Sequence, residues 1–406
     1  MNKKRTIARV FLTLLVFIAA FVITFNLLDR RLTGNNVRIV RVPDDTFNRQ
    51  IPPLPPSLQM ITHEEFMATI EEEAEEELSY EEARESIERD FAAVPVAPPR
   101  LIPVHPSARV AGLRNDSIFE RQEISDNIIN VLFLGDDALI HQDRGRSDTI
   151  MMLSFNRDTR VVSLTSFMRD ILVPDRIGSA HWNRMNFMYA VGGPGRTINL
   201  MNDLFALDIQ RFAVVRFAGV FALVDALDGL ELHLRADEAA VINRIFPDFE
   251  EVSAGYNLLN GRQVLAYSRM RIVDNDFVRT QRQKNVLRSI LDRVLDTTTM
   301  GDVFTIASFI LEHVDTNFTL GEMITLGVDL FVGSRPTIEE LRIPIDGSFR
   351  HAVYNGAYIL AIDFNENITA LHEAIYSTAY GVTLLDFVLP EMDRPEIAYV
   401  EEIDEG

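Results

Sequence analysis

Val286, Leu287, Ile290, Leu291, Val294 and Leu295 recur at i, i+1, i+4, i+5, i+8 and i+9, the stripe of an amphipathic helix with one face against a core. The stretch just upstream constrains the fold most. Running the stripe backwards at roughly 100° per residue puts Arg279 about 20° from Val286, with Gln283 below Leu287 and Arg282 at the edge. The helix therefore starts near Asp276, and cations continue its buried face. A guanidinium turned inward without a partner costs several kcal/mol, so acidic side chains or a bound anion must meet this end. Asp276 is one candidate partner, and a solvated helix start paired with Asp274 and Asp276 is the alternative. Arg269 and Arg271 diverge on a helix but share a side on an extended chain, so a helix over about 260 to 268 unwinds at Arg269-Met270-Arg271.

Charge narrows the choice of ligand. The chain of 406 residues has a net charge of −21 in a globular composition, 47% hydrophobic and 24% charged. Residues 63–92 hold thirteen acids against two arginines, about half the excess, and the acidic balance argues against nucleic acid as a partner. Residues 261–293 reverse it, with eight Lys/Arg and three Asp, which favours an anionic ligand there. The absence of cysteine excludes disulfides and thiolate metal sites and fits an exported protein.

Val10 to Leu28 is nineteen residues without a charge, enough to span roughly 30 Å of hydrocarbon as a helix. The run exceeds the apolar core of a cleaved signal peptide and no small-residue cleavage site follows it, so it reads as a transmembrane signal-anchor. Four basic residues precede the span and four follow it, so charge leaves its orientation open. The expected organisation is a tail at 1–9, an anchor at 10–28, a Pro-rich and acidic spacer at 29–124, a folded domain at 125–380 and an acidic tail at 381–406. Within the spacer, Phe66, Ile70, Ala74 and Leu78 lie at i+4 spacing among glutamates, which a solvated segment or a partner-binding helix would both show.

The folded part opens with Ile128 to Leu134, a buried strand delivering Gly135-Asp136-Asp137 at its end. Two β-rich runs, 150–155 and 160–167, flank Asn156-Arg157-Asp158-Thr159, a hairpin signal. Gly192-Gly193-Pro194-Gly195 breaks the chain before a helix at about 196–206. Strand, helix and strand follow at 212–217, 220–227 and 230–234, then helices near 236–246 and 260–268. Beyond the opening stretch, helices are expected at 301–314, 319–332 and 367–378, with strands near 340 and 358. This mixture is that of an α/β layered domain of about 250 residues.

Asp137 and Asp148, two carboxylates at strand ends with arginines around them, suit a hard divalent cation bridging phosphate oxygens, since Mg2+ takes one or two carboxylates plus phosphate and water. Phosphoryl transfer fits as well, because it asks the protein chiefly for charge neutralisation. Plain ion pairing is the other reading of such clusters.

Gly135-x-Asp137, Gly145-Arg146-Ser147-Asp148-Thr149, Arg169-Asp170, Asn186 to Gly193, Tyr267-x-Arg269-x-Arg271 and Asp276-x-x-Arg279-x-x-Arg282-Gln283 occur in that order. Together they resemble the LytR-CpsA-Psr (LCP) family over about 125–380. The resemblance implies a layered α/β/α domain with a central mixed sheet, held outside the cell membrane by one N-terminal helix. It further implies a magnesium-dependent phosphotransferase that moves a phosphate-linked glycopolymer, such as teichoic acid or capsular polysaccharide, from a polyprenyl diphosphate carrier to peptidoglycan. On that reading Asp137 and Asp148 hold the metal, while Arg146, Arg169, Arg184, Arg269, Arg271 and Arg279 bind the diphosphate and Gln283 orients it. Arg169, Asp148 and Arg279 are the catalytic candidates, with Asp137 chosen over Asp136 by the family's spacing. The lipid would need an apolar tunnel, which Phe212 to Phe221, Val220 to Leu227 and the Val286 to Leu295 stripe could supply, while each of them reads equally well as an ordinary core segment. Met168 stands where the family has proline, which is expected to loosen the turn aiming Arg169, and Arg184 stands where it has lysine. A polyprenyl diphosphate phosphatase and a membrane-tethered lipid-binding regulator are the alternatives.

Overall fold

The computed structural model describes residues 39–41, 54–62, 64–66, 68, 80–92, 118–120, 124–136, 145–175, 179, 181–270, 276–296 and 314–376. The apolar run 10–28, most of the helix expected at 301–314 and the tail from 381 lie outside these residues. Among the described residues no helix is long and apolar enough to cross a membrane.

Four elements precede the main sheet: β1 (Ile39–Arg41), β2 (Gln59–Met60), α1 (Tyr80–Ala92) and β3 (Ile118–Glu120). They depart from the expected solvated spacer. Tyr80, Ala83 and Ile87 make an apolar stripe at three- and four-residue spacing, and Ile87 is 3% exposed in a cluster with the domain. Burying such a side chain is worth roughly 1.5–3 kcal/mol, and ion pairs from Arg84 to Asp248 (2.7 Å) and from Glu88 to Arg262 (3.1 Å) flank it. Glu81, Glu82 and Glu85 remain exposed, so the acidity of the segment concealed a packing helix at 80–92.

The sheet is built from β4 (Ile128–Asp136), β5 (Ser147–Asn156) and β6 (Val161–Phe167). Their apolar side chains alternate between two covered faces, which is why the runs read as continuously hydrophobic. At the expected hairpin, Asn156 Oδ1 accepts from the N–H groups of Asp158 and Thr159. A small hairpin, β7 (Leu172–Pro174) and β8 (Trp182–Arg184), leads into α2 (Met185–Phe205). The expected break falls at Gly193, whose φ of 63° and ψ of −162° leave the helical region and whose φ only glycine adopts easily, and the unexpected feature is the helical stretch from Met185 ahead of it.

Next come β9 (Arg211–Arg216), α3 (Phe217–Ala226), β10 (Leu230–Leu234), α4 (Ala236–Ile245), β11 (Gly255–Leu259), α5 (Gly261–Arg269) and α6 (Asp276–Leu295). The last segments are β12 (Asp315–Thr316), α7 (Leu320–Phe331), β13 (Thr337–Ile343), β14 (Phe349–Tyr354), β15 (Ala357–Ile362) and α8 (Phe364–Tyr376). The central sheet has the order β12-β9-β4-β5-β6-β13. It is mixed, with β4 parallel to β9, β6 parallel to β13, and the other neighbours antiparallel.

Helices cover both faces. On one, Leu132, Leu134, Ile150 and Met152 meet Phe205 of α2 and Leu371 of α8. On the other, Leu153, Phe155 and Leu164 meet Leu287 and Leu291 of α6 and Leu326 of α7. A third cluster joins β10, α4 and α5 to Ile87 of α1 and Val286 of α6. Thus α6 bridges the main sheet and the side cluster, and its N-terminal end lies at the carboxyl ends of β4 and β9.

Candidate functional site

Asp148 owes its position to a bulge. Gly135 pairs with Thr149, but Asp136 pairs with Ser147, so Asp148 is the extra residue on β5 and is turned out of the ladder. A Cβ at position 135 would lie 2.9 Å from that of Thr149, which explains a glycine beside the bulge. The Asp148 side chain keeps 26% exposure. Arg169 Nη1 donates to its Oδ1 at 2.8 Å, and Arg279 Nη1 lies 3.9 Å from its Oδ2.

Arg169 sits in the turn after β6. Met168 does not loosen this turn. Its side chain is buried and its N–H donates to Ile343 O at 2.8 Å, a bond that proline would lack. On the other side, Asn186 N–H donates to Arg169 O. Asp170 joins the set, 3.4 Å from Arg169 Nε and 3.2 Å from Arg184 Nη1.

The stripe argument placed Arg279 correctly: its side chain is 3% exposed. The ion pair that it makes with Asp148 crosses to the sheet, whereas the sequence offered Asp276 on the same helix. Arg282 departs from its expected place at the helix edge. It is fully buried, with Nη1 3.2 Å from Glu238 Oε1 and Nη2 donating to Met270 O. A single-helix projection has no view of Glu238, which comes from α4. Gln283 is half-buried one turn beyond Arg279, and its Oε1 has no hydrogen-bond partner among the described residues.

Asp148, Arg169, Asp170, Arg184 and Arg279 are thus one connected group, while Arg146 lies exposed at the approach to the bulge. Arg269 Nη2 lies 3.4 Å from Ser86 Oγ of α1. Asp137 and Arg271 lie outside the described residues. Asp136, the neighbour passed over by spacing, has a different task. It is 2% exposed and accepts from Gly145 N–H and Tyr189 Oη at 2.9 Å each, with Arg216 Nε at 3.7 Å. Arg216 is opposite Asp136 in the β4–β9 register. Sequence reading missed this cluster, although charge at the ends of two adjacent strands was a usable signal.

Of the stretches that could line a lipid tunnel, the side chains of residues 217, 218, 221 and 222 are not among those described. Phe212 and Val214 pack into the cluster beneath α2, Val224 and Val286 into the side cluster, and Leu291 against β5 and β6. These side chains are ordinary core.

Three guanidinium groups around two half-open carboxylates suit a compact ligand with concentrated negative charge, because planar cations grip phosphate or carboxylate oxygens in pairs. Among the described residues no group of three or more His or acidic side chains could hold a metal. Mg2+ needs no such group, and Asp148 supplies the partly exposed hard oxygen donors that it favours.

Comparison with known proteins identifies the family and the fold. The model of the LytR_cpsA_psr family matches residues 108–373. Biofilm regulatory protein A of Streptococcus mutans is 29% identical over 186 residues, 43% of this chain and 45% of that one. Polyisoprenyl-teichoic acid--peptidoglycan teichoic acid transferase TagV of Bacillus subtilis is 26% identical over 227 residues, 53% of this chain and 55% of that one. The chain therefore spans about half the length of these curated relatives. The crystal structure of B. subtilis TagV is similar in fold at a TM-score of 0.50 and 25% identity, covering 63% of this chain and 100% of that one.

Proposed function

Since the chain belongs to the LytR-CpsA-Psr family, we propose that it is a phosphotransferase moving a phosphate-linked glycopolymer from a polyprenyl diphosphate carrier to peptidoglycan. The observation that carries this reading is the convergence of Arg169 and Arg279 on Asp148 at the open end of the sheet. A relative named as a teichoic acid transferase supports the substrate class. Teichoic acid and capsular polysaccharide share the phosphate linkage that these cations would grip.

In the proposed reaction a peptidoglycan hydroxyl attacks the glycan-bearing phosphorus, a new P–O bond forms, and the bridging P–O bond breaks. Polyprenyl monophosphate leaves and the hydroxyl proton is released. Arg169, Arg279, Arg146 and Arg184, with Arg269 and Arg271, would hold the diphosphate oxygens and stabilise charge as the bridge breaks. Gln283 would orient the group. Asp148 and Asp137 would hold Mg2+, which when bound would supply positive charge to neutralise the diphosphate. We further propose that residues 10–28 anchor the chain in the cell membrane, with the domain outside.

One experiment separates the alternatives. The full chain in detergent is incubated with Mg2+, a labelled polyprenyl diphosphate glycan and peptidoglycan. Transferred glycan supports the proposal, and its absence sinks it. Glycan phosphate or free phosphate released to water instead identifies a phosphatase. Binding without turnover identifies a regulator, a reading favoured by the name of the S. mutans relative.

A further inference from the structure

We infer that Glu238 is a positioning residue for the end of α5 at Arg269-Met270, acting through Arg282. The inference rests on the diphosphate reading of that segment.

Arg282 and Glu238 form an ion pair whose side chains are 1% and 4% exposed, and water screens neither. Glu238 is itself fixed. Its Oε2 accepts from Arg235 N–H at 2.9 Å, closing the first turn of α4, and its Oε1 lies 3.8 Å from Arg235 Nη1. Arg282 is held on one side by this carboxylate and donates on the other to Met270 O.

Met270 is where α5 stops, with ψ at 125°. Its carbonyl has no acceptor role left within the helix. The bond from Arg282 gives that carbonyl a fixed direction, and so fixes how α5 ends directly after Arg269. Asn285 Nδ2 donates to Tyr267 Oη at 3.0 Å, so a second bond three residues away joins the same two helices. Burial, reinforced by the charge of Glu238, pushes the Tyr267 hydroxyl up, which keeps it neutral in that bond.

A bare glue between α4 and α6 would be replaceable. Apolar side chains of similar volume often substitute for a buried ion pair without loss of stability. They cannot donate to Met270 O. Stability and segment geometry are therefore separable at this pair.

The test uses the full chain in detergent and compares wild type, the double variant Glu238→Leu/Arg282→Met, and Arg282→Lys. Three readouts are taken: the thermal melt, hydrogen exchange over 268–276, and affinity for geranylgeranyl diphosphate with Mg2+. The double variant is expected to melt near wild type, to exchange faster over 268–276 than in α4 and α6, and to bind the probe at least about tenfold more weakly. Double-variant exchange and affinity equal to wild type would overturn the inference. If the double variant fails to fold, Arg282→Lys decides, because an ammonium that keeps Glu238 lacks the fork that also reaches Met270 O. Unchanged exchange in that variant overturns the inference, and faster exchange supports it. Wild type that ignores the probe would count against the diphosphate reading, while the exchange comparison would still decide the link from Glu238 to Met270.

Discussion

Arg279 of α6 and Asp148 of the β5 bulge face each other at 3.9 Å, and Asp148 is at the same time bound by Arg169 at 2.8 Å. Asp148 consequently keeps a cation when Arg279 is removed. Arg279→Met, which retains most of the buried stem, is expected to change apo stability by less than about 1 kcal/mol, against the ~3–5 kcal/mol of a buried pair broken outright. Diphosphate affinity should fall by about 1.5–3 kcal/mol. Thermal melts with and without a polyprenyl diphosphate measure both, and a large apo loss with undiminished ligand stabilisation would refute the anion site.

Asp148 and Asp136 are separated by the bulge and should respond in opposite ways. Asp148→Asn leaves a partly exposed side chain without core contacts, so the melt should hold while metal-dependent turnover disappears. Asp136→Asn places an amide where Gly145 N–H, Tyr189 Oη and Arg216 meet one carboxylate, at a cost of roughly 1–3 kcal/mol in stability. Paired denaturant titrations and transfer assays on the two variants check this.

Ile87→Ala should lower stability by about 2 kcal/mol or more, because the side chain is buried against the α4 and α5 cluster. A solvated spacer would tolerate it within about 0.5 kcal/mol. Urea unfolding of the full chain distinguishes these outcomes.

Burial pushes the Glu340 carboxyl up, but hydrogen bonds from Arg288 and Gln281 and the Lys284 charge outweigh it, so the group ends below its ordinary value. A depressed carboxylate pKa contributes stability above the unfolded value, and that contribution is lost as pH falls through the folded one. Glu340→Gln should therefore melt below wild type at pH 7, and the two should converge below about pH 4. A difference that persists unchanged in acid would show that the contact works through shape rather than charge.

Helical periodicity revealed what one helix can reveal, namely the start of α6 at Asp276 and the inward Arg279. It misplaced Arg282, because the acid that makes its burial tolerable is on α4. Asp148 and Arg169 were each legible as charge at a strand end, but their contact follows from the antiparallel register of β5 and β6, which no local pattern encodes. The β14–β15 hairpin was missed although Asn355-Gly356 signals it: φ values of 53° and 75° are those of the turn that this pair favours. Gly193-Pro194 marked the break inside α2 correctly, but nothing local showed that a helical stretch from Met185 precedes it.

The pairing of β1 with β3 sets a limit on altitude. Ile39 lies opposite Ile118, which is fully buried in the core beneath α2. With residues 10–28 in the bilayer as proposed, only residues 29–38 separate the lipid from this first fastening, and ten residues extend to roughly 35 Å at most. On so short a leash the first fastening would rise no more than about 35 Å above the headgroups. On the proposed reading, a lipid carrier in the outer leaflet would meet the arginines by moving sideways, and the wall would have to bring its hydroxyl down to the membrane.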